Sequence, residues 1–442
     1  MSGNSGPPFS RRLDWPGAEN PLAVAEARLR EMGERLIDLT SSNPTAVDLP
    51  DDDDDLRRAF ARAAMSRYEP SPRGARSARE HVAAAYREVG APIDPDRLIL
   101  TASSSESYSF LFKLLANAGD AVLVPEPSYP LFDYLAALDG LTVRRYRLAH
   151  ESGAERPWAI DRASIDEALA RRPPPPPPPR ERVPRATFTR ASPARVAAVV
   201  VVSPNHPTGS VLRGDDLRWL DQRCGAAGVA IVSDEVFSDY VTRAGPDPVR
   251  CVAAHPTDSL SFSLGGLSKS CGLPQLKLGW IAVGGGASVA RAALERLDLI
   301  ADTYLSVGTP VQAALPDLLA LGARRRAAIV ARITENRRTL ARAIGERSPL
   351  SLLGSEGGWS AIVRVPAIRN DEEWALALLE DRHVLTQPGY FFDLDPANGA
   401  FLVLSLLPPP STFASGVERL VSYVEHVTGS DPTRDSPMRP SR

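Results

Sequence analysis

The sequence predicts an α/β fold whose central sheet is mostly parallel. Short aliphatic segments alternate with longer amphipathic segments, which is the pattern of strands followed by helices. The chain has 442 residues, more than one hydrophobic core usually supports, so we expect two domains. The strands of the larger domain are expected at residues 98–100, 121–124, 196–202, 229–232 and 278–283.

The other elements are predicted from charge and periodicity. The five aspartates at 51–55 precede a helix expected over residues 56–68, because negative charge complements the start of a helix dipole. From about residue 324 the apolar spacing predicts a long helix that ends near Ile344. Two strands, near 361–365 and 401–404, and a final helix after Phe413 complete a smaller α+β domain.

Composition suggests the domain boundaries. Residues 1–14 and 429–442 are polar and lack periodicity, so both ends are predicted to be disordered tails. We expect 15–55 to belong with the small domain, 56–310 to form the large domain and 311–428 to form the small C-terminal domain. Seven prolines at 173–179 cannot enter a helix or a central strand, so 172–190 is predicted to be a Pro-rich surface insertion. A docking segment for a proline-binding domain is the alternative.

Composition also excludes several kinds of partner. The formal net charge is −3 and the arginines are spread along the chain, so no nucleic-acid partner is expected. The three cysteines are far apart and the histidines lack ligand spacing, which argues against disulfides and metal sites. The N-terminus lacks a signal-peptide pattern, and no apolar segment is long enough to span a bilayer. These observations predict a cytoplasmic protein without a membrane partner.

Lys269 and Asp234 carry the strongest chemical signal. Lys269 lies in a loop of small residues, 266–274, between two apolar segments, where an amine can form a Schiff base. Asp234 ends the strand expected at 229–232 and is a carboxylate of the kind that keeps a pyridine nitrogen protonated. Together the two residues suggest pyridoxal 5'-phosphate as cofactor.

Three further motifs follow predicted strands. Ser103, Ser104 and Ser105 open a helix and can form a phosphate seat, although an ordinary serine N-cap is the alternative. Tyr129 lies at the carboxyl end of the next strand, where open α/β sheets bind ligands, and either stacks on a planar cofactor or packs in the loop. The unusual turn at 203–209, Ser-Pro-Asn-His-Pro-Thr-Gly, follows another strand.

In this order, the motifs resemble those of the class I/II, fold-type I, pyridoxal-phosphate-dependent aminotransferases over residues 36–407. The resemblance implies a cofactor-binding large domain with a seven-stranded mixed sheet. It implies that Lys269 forms the Schiff base and that Asp234 bonds the pyridinium nitrogen. It further assigns the three serines to the phosphate and Tyr129 to the ring.

The resemblance also implies a homodimer and a substrate site. Tyr68 matches a tyrosine that crosses the subunit interface and contacts the phosphate of the partner's cofactor. Ser42 matches a loop that touches substrate, and Tyr390 lies in a loop that closes over the site.

Two departures from the family pattern concern the phenolic oxygen of the cofactor. His206 replaces the usual asparagine, and an imidazole N–H can still donate to that oxygen. Phe237 replaces a tyrosine, which removes a second donor. Because a phenolate loses a hydrogen bond, we predict a raised pKa of the Schiff base.

The other departures concern the anionic groups of the ligands. Gly266 replaces a phosphate-binding serine, and Lys277 replaces an arginine, which keeps the charge without the forked donor. Val403 replaces the arginine that binds the substrate carboxylate. Arg364, on a neighbouring predicted strand, is the candidate replacement, and a surface arginine is the alternative.

The sequence therefore predicts a transaminase of amino acid metabolism that moves an amino group from an amino acid to a 2-oxo acid through a Schiff base on Lys269. A decarboxylase or carbon-sulfur lyase on the same fold is the first alternative, because the cofactor supports all three reactions. A non-catalytic interaction protein that retains the fold is the second.

Overall fold

The computed structural model describes residues 9–10, 12, 20–49, 53–63, 67–170, 194–243 and 245–429. The predicted proline-rich insertion lies outside these residues, as do nearly all residues of the two predicted tails. The described helices are α1 (Pro21–Glu31), α2 (Asp53–Arg62), α3 (Arg76–Glu88), α4 (Ser104–Leu115), α5 (Phe132–Leu138), α6 (Arg162–Ala170), α7 (Gly214–Ala227), α8 (Leu267–Ser270), α9 (Ala287–Tyr304), α10 (Thr309–Ala313), α11 (Leu315–Ala343), α12 (Asp371–Arg382) and α13 (Pro410–Thr428).

The described strands form one large sheet and two smaller ones. They are β1 (Ile37–Asp38), β2 (Leu98–Thr101), β3 (Ala121–Glu126), β4 (Thr142–His150), β5 (Trp158–Ile160), β6 (Val196–Val202), β7 (Ala230–Asp234), β8 (Ser261–Gly266), β9 (Gly279–Gly284), β10 (Ser351–Leu352), β11 (Ser360–Val365), β12 (Val384–Leu385), β13 (Gln387–Pro388) and β14 (Ala400–Ser405).

The large sheet has the order β2-β9-β8-β7-β6-β3-β4-β5. Strands β8, β7, β6, β3 and β4 are parallel to their neighbours in that series, and β9 is antiparallel to both β2 and β8. The predicted α/β class with a mostly parallel sheet is confirmed. The strand count is eight rather than seven, because the chain turns back after β4 and the short β5 pairs antiparallel with its end.

Helices cover both faces of the large sheet. All seven residues of β6 are buried, as expected for a strand without a solvent-facing side. Alternate β6 side chains point to opposite faces. Val200 packs in a core with residues of α4 and α9, whereas Val201 packs with residues of α6 and α7. Each such buried aliphatic side chain contributes about 2 kcal/mol, which fixes the register of the sheet.

A second core surrounds the smaller sheets. Strands β10, β11, β14 and β13 form an antiparallel sheet in that order, and β1 pairs in parallel with β12. Residues of α1, α11, α12 and α13 pack in this core. Helix α11 begins before the predicted start near residue 324, because Leu315, Leu318 and Leu321 extend its buried stripe.

Helix α2 also differs from its prediction. It begins at Asp53, so three aspartates lie inside its first turn, and it ends at Arg62 rather than near Tyr68. Asp54 and Asp55 pair with Arg57 and Arg58, which adds local support at the helix start.

The topology brings the sequence motifs to one edge of the large sheet. Parallel strands end at the same edge, so the loops after β3, β6, β7 and β8 meet there. These loops carry Tyr129, His206, Asp234 and Lys269. Among the described residues, no helix has the length and apolar character needed to cross a membrane.

Candidate active site

A cavity of about 160 Å³ lies at the carboxyl edge of the large sheet. Nine residues singled out in the sequence line it: Ser42, Ser104, Ser105, Tyr129, His206, Asp234, Phe237, Gly266 and Lys269. The remaining lining residues are Phe132, Val202, Val236, Gly265, Ser268, Leu278 and Trp359. The strand-end motifs therefore converge on one enclosed space.

Lys269 extends from the one-turn helix α8, directly after β8. Its Nζ lies 5.0 Å from the ring centroid of Trp359 and 5.7 Å from that of Phe237. The Tyr240 hydroxyl donates a 2.7 Å hydrogen bond to the Lys269 carbonyl and holds the turn in place. Burial lowers the pKa of the Lys269 ammonium, and the negative charge of Asp234 opposes that effect. A lysine of this kind has an increased share of neutral, nucleophilic amine.

Asp234 is the last residue of β7 and is 9% exposed. Its Oδ2 accepts a 3.0 Å hydrogen bond from the Tyr108 hydroxyl, and its Oδ1 accepts a 3.2 Å bond from the Val236 N–H. Burial raises the pKa of the Asp234 carboxyl, although both hydrogen bonds and Lys269 act in the opposite direction. A buried carboxylate with a raised pKa is a strong acceptor for a proton carried by a ligand.

The start of helix α4 forms an anion seat. Ser104 and Ser105 line the cavity, and the helix dipole places partial positive charge there. Ser103 has another role, because it is the N-cap and its Oγ accepts a 3.2 Å hydrogen bond from the Glu106 N–H. Glu106 accepts in return from the Ala102 N–H at 2.6 Å. Two of the three predicted serines are thus brought to the cavity, and the third caps the helix.

Lys277 does not line the cavity. It is exposed, and its φ of 49° places it in the left-handed region at the tight turn before β9. At Gly266 a serine would be tightly packed, since a Cβ there would lie 3.0 Å from the Cα of Gly279. Close packing of β8 against β9 therefore accounts for the glycine.

Asn205 joins the two loops that carry His206 and Tyr129. It is buried, and its Nδ2 donates to the Pro127 carbonyl at 3.0 Å and to Thr208 Oγ1 at 2.9 Å. At the end of the same turn, a Cβ on Gly209 would overlap Ser355 Oγ and the Gly357 carbonyl. Glycine lets this turn approach the segment before β11.

His206 is partly buried among aromatic rings. Its ring is nearly parallel to that of Phe237 at 6.0 Å and meets the ring of Phe392 edge-on at 5.1 Å. Its Nδ1 is 3.1 Å from Ser360 Oγ, the first residue of β11. Burial, with a smaller effect from the charge of Lys269, lowers the pKa of His206 to about 3. The imidazole is therefore neutral near pH 7.

A second cavity of about 510 Å³ shares Ser42, Tyr129 and His206 with the first. Hydroxyl and amide groups dominate its other polar lining, which includes Thr40, Ser360, Gln387, Tyr390 and Ser405. Within the described part of the chain, neither lysine nor arginine lines this second space. Its two carboxylates, Asp133 and Asp393, are both paired with Arg145, at 2.6 and 3.1 Å.

Arg364 is not brought to either cavity. It lies on the same face of β11 as Ser360, but four residues further along, which is about 13 Å in a strand. Its guanidinium covers the ring of Phe401 at 5.5 Å. Val403 is buried opposite Ile362 on β14, so its position also presents no cation to the site. The structure gives no support for Arg364 as a carboxylate ligand.

Tyr68 lines a different cavity, of about 400 Å³, between residues 67–77 and 301–313. Its side chain is 71% exposed and it does not contribute to the cavity of Lys269 in its own chain. In the described residues, no group of three or more His, Cys, Asp or Glu side chains is arranged to hold a metal ion.

Comparison with known proteins decides the family. The family model described as aminotransferase class I and II matches residues 34–405. The chain belongs to this family. An alanine aminotransferase of Mycobacterium tuberculosis is 25% identical over 414 residues, which cover 91% of this chain and 89% of that protein. The structure of an alanine aminotransferase from Pyrococcus furiosus has a TM-score of 0.77 at 22% identity and covers 95% of this chain and 100% of that chain.

One relative carries a different activity in its name. An S-alkyl-thiohydroximate lyase of Arabidopsis thaliana is 28% identical over 235 residues, or 53% of this chain. This match spans only 45% of the lyase. The predicted family, fold class, transaminase activity and cofactor are nevertheless confirmed, and the enzyme is a pyridoxal-phosphate-dependent aminotransferase.

The residues of the aminotransferase fit this cofactor. The cavity combines an amine, Lys269, a buried carboxylate with a raised pKa, Asp234, and a serine-bearing helix start. These are the donors and acceptors that an aldehyde, a pyridine nitrogen and a phosphate require.

Among the site residues that sequence reasoning missed are Tyr108, Trp359 and Ser360. Tyr108 is four residues after Ser104 on α4 and so shares its helix face, a spacing that identifies it once the helix is recognised. Trp359 and Ser360 are at the start of β11, which belongs to the smaller sheet. Only the tertiary fold brings them to the cavity.

Proposed function

We propose that Lys269 and Asp234 are the catalytic residues of amino transfer from an amino acid to a 2-oxo acid. The observation that supports this most strongly is their placement in one cavity, an amine with a lowered pKa and a buried carboxylate with a raised pKa. Pyridoxal phosphate, when bound, supplies an aldehyde that links to amines and a ring that withdraws electrons.

The proposed roles follow from the charge of each group. Lys269 Nζ would hold the aldehyde of the cofactor, and its amine, when free, would take the α-proton of the donor as a general base. Burial favours this role because it lowers the pKa of the Lys269 ammonium and so increases the share of neutral amine. Asp234 accepts a hydrogen bond from the protonated ring nitrogen and so keeps the ring electron-poor.

We propose that the phosphate is held mainly by Ser104, Ser105 and the N–H groups at the start of α4, with Ser103 shaping that start as its cap. Lys277, outside the cavity, acts only through its charge. Tyr129 faces the ring from the loop after β3. His206 donates to the phenolic oxygen.

The amino donor and the oxo acid occupy the second cavity in this proposal. Ser42 and Tyr390 are the proposed substrate contacts, since Ser42 lines both cavities and Tyr390 lines the larger one. Arg364, the third substrate residue suggested by the sequence, lies outside both spaces. In this proposal, hydroxyl and amide donors of the protein surround the carboxylate of the substrate.

We further propose a cytoplasmic homodimer that acts in amino acid metabolism. An exposed Tyr68 that contributes nothing to the Lys269 cavity of its own chain is available to a partner subunit. The three cysteines are buried and unpaired, as is usual in a reducing compartment. Sedimentation of the holoenzyme should give twice the mass of one chain, and Tyr68→Phe should weaken cofactor retention without changing that mass.

The function is tested by one half-reaction. The holoenzyme is mixed with single amino acids without an oxo acid, and the products are identified. Transamination yields one oxo acid and one amine form of the cofactor for each active site. Lys269→Ala should abolish this yield, whereas the control Lys113→Ala, whose amine pairs with Asp139 away from the cavity, should retain it. Carbon dioxide would indicate the decarboxylase, and ammonia with a thiol the carbon-sulfur lyase.

A further inference from the structure

A side-chain hydrogen bond joins the smaller antiparallel sheet to the cavity. His206 is in the loop after β6 of the large sheet, and Ser360 opens β11 of the smaller sheet. Ser360 is 4% exposed, and its Oγ lies 3.1 Å from His206 Nδ1. The Arg337 guanidinium donates to the Ser360 carbonyl at 3.1 Å, and Ser360 pairs with Ser405 across the sheet. The hydroxyl is therefore held firmly against the imidazole.

The numbers of available donors and acceptors indicate which group donates in the hydrogen bond between Ser360 and His206. A neutral imidazole carries one proton, on either Nδ1 or Nε2. If Nδ1 carried it and donated to Ser360, the proton of the serine hydroxyl would have no acceptor among the described residues, which offer this hydroxyl no other partner. If Ser360 donates, its proton and the Nδ1 lone pair are both satisfied. The second arrangement places the ring proton on Nε2.

The surroundings keep the ring neutral, so the choice of tautomer matters. Phe237, Phe392 and Tyr129 face the imidazole, and Lys269 is the nearby cation that affects it. Phe237 has no hydroxyl to offer. An imidazole with Nε2–H has one donor to present to a ligand, whereas the other tautomer has only a lone pair there.

We propose that Ser360 is a positioning residue that fixes His206 in its Nε2–H tautomer and thereby makes it a hydrogen-bond donor toward the phenolic oxygen of the cofactor. The proposal rests on the proposed function, because the phenolic oxygen belongs to the cofactor held by Lys269 and Asp234. It gives a residue of the smaller sheet control over the protonation of the bound cofactor.

The tautomer is tested without catalysis. The full-length protein is labelled with ¹⁵N-histidine and its ring nitrogens are measured by NMR, with and without cofactor, using His206→Asn to assign the signals. The wild-type ring should carry its proton on Nε2, Ser360→Ala should lose this preference, and Ser360→Thr should restore it. A wild-type ring protonated on Nδ1, or a tautomer unchanged by Ser360→Ala, would overturn the proposal.

The proposed effect of Ser360 on the protonation of the cofactor is tested in the holoenzyme, by titrating the visible absorbance of the bound cofactor with pH. Loss of a donor to a phenolate disfavours the deprotonated form. Ser360→Ala should therefore move the midpoint of the absorbance titration to higher pH. At a fixed pH, the ratio of protonated to deprotonated cofactor should change about tenfold. Ser360→Thr should restore the wild-type curve. An unchanged curve in Ser360→Ala would contradict the proposal.

Ser405→Ala is the matched control. Ser405 lines the 510 Å³ cavity directly across from Ser360, but its Oγ accepts from the Leu407 N–H at 3.2 Å, and the hydrogen bond to His206 Nδ1 comes from Ser360. Its titration curve should match that of the wild type, and a shift as large as that of Ser360→Ala would contradict the proposal. Failure of the proposed function has a different signature, since no absorbing cofactor or no oxo acid would form while the histidine tautomer still reports on Ser360.

Discussion

Tyr108 donates a 3.0 Å hydrogen bond to Asp234, and both residues are buried, with Asp234 lining the cavity of Lys269. Tyr108 comes from α4, the helix whose first turn carries Ser104 and Ser105. One rigid element therefore connects the proposed phosphate seat to the proposed partner of the ring nitrogen. The ring of Phe132 packs edge-on against Tyr108 at 5.5 Å and fixes its orientation.

Removing the Tyr108 hydroxyl should impair the enzyme without unfolding it. Burial already raises the pKa of Asp234, and the Tyr108 hydrogen bond counteracts this effect. Tyr108→Phe should raise that pKa further, reduce the ionised fraction and lower kcat by about tenfold. Half-reaction kinetics and cofactor dissociation measure the effect. Tyr86→Phe, which removes a buried hydroxyl bonded to Trp280, is the control and should retain kcat.

The buried His206 should make the cofactor-free protein less stable in acid. Its pKa in the folded chain is about 3, below the ordinary value of 6.5. Below pH 6.5 the unfolded chain binds a proton that the folded chain does not, so the free energy of unfolding falls as pH decreases. The loss from this group is about 1.4 kcal/mol for each pH unit below 6.5.

Denaturant unfolding at pH 7.5 and pH 5.5 measures this difference. His206→Gln should reduce the stability lost between the two pH values by about 1 kcal/mol. The exposed His81→Gln serves as the control and should lose as much stability as the wild type. Equal acid sensitivity in all three proteins would contradict a neutral His206.

Arg213 and Glu356 form a buried ion pair that anchors the turn of His206. Their exposed fractions are 5% and 1%, and Val211 N–H donates to the second carboxylate oxygen of Glu356 at 3.3 Å. Arg213→Met leaves an unpaired buried carboxylate and should cost about 3–5 kcal/mol in the free energy of unfolding. The double variant Arg213→Met/Glu356→Leu should recover most of this loss. Chemical denaturation checks both values.

Much of the fold could be predicted from local patterns, since strands β2, β3, β6, β7 and β9 coincide with aliphatic runs of the sequence. Asp234 was identifiable because it directly follows such a run, and Lys269 because it lies in a loop of small residues between two apolar segments. Contacts between segments that are distant in the sequence could not be predicted from local patterns. Ser360 meets His206 across 154 positions of the chain, and β5 exists only because β4 offers an unpaired edge.

Arg364 illustrates the same limit of pattern reasoning. Arg364 lies on β11, which pairs with the strand of Val403, and it shares a face of β11 with Ser360. Its position four residues further along the strand places its guanidinium over the ring of Phe401. Arg364→Met should therefore leave the KM of the amino donor within about twofold of the wild type, because a carboxylate contact would be worth at least about 1.5 kcal/mol. Steady-state kinetics with several amino acids tests this. A tenfold increase in KM would return Arg364 to the substrate site.

We propose that one amine of this chain, that of Lys269, carries the cofactor. The chain contains only three lysines, Lys113, Lys269 and Lys277, so the assignment can be tested at every alternative. The holoenzyme is reduced with borohydride, digested and mapped by mass spectrometry. We expect a single cofactor adduct, on Lys269. An adduct on Lys113 or Lys277, or a cofactor that remains extractable after reduction, would contradict it.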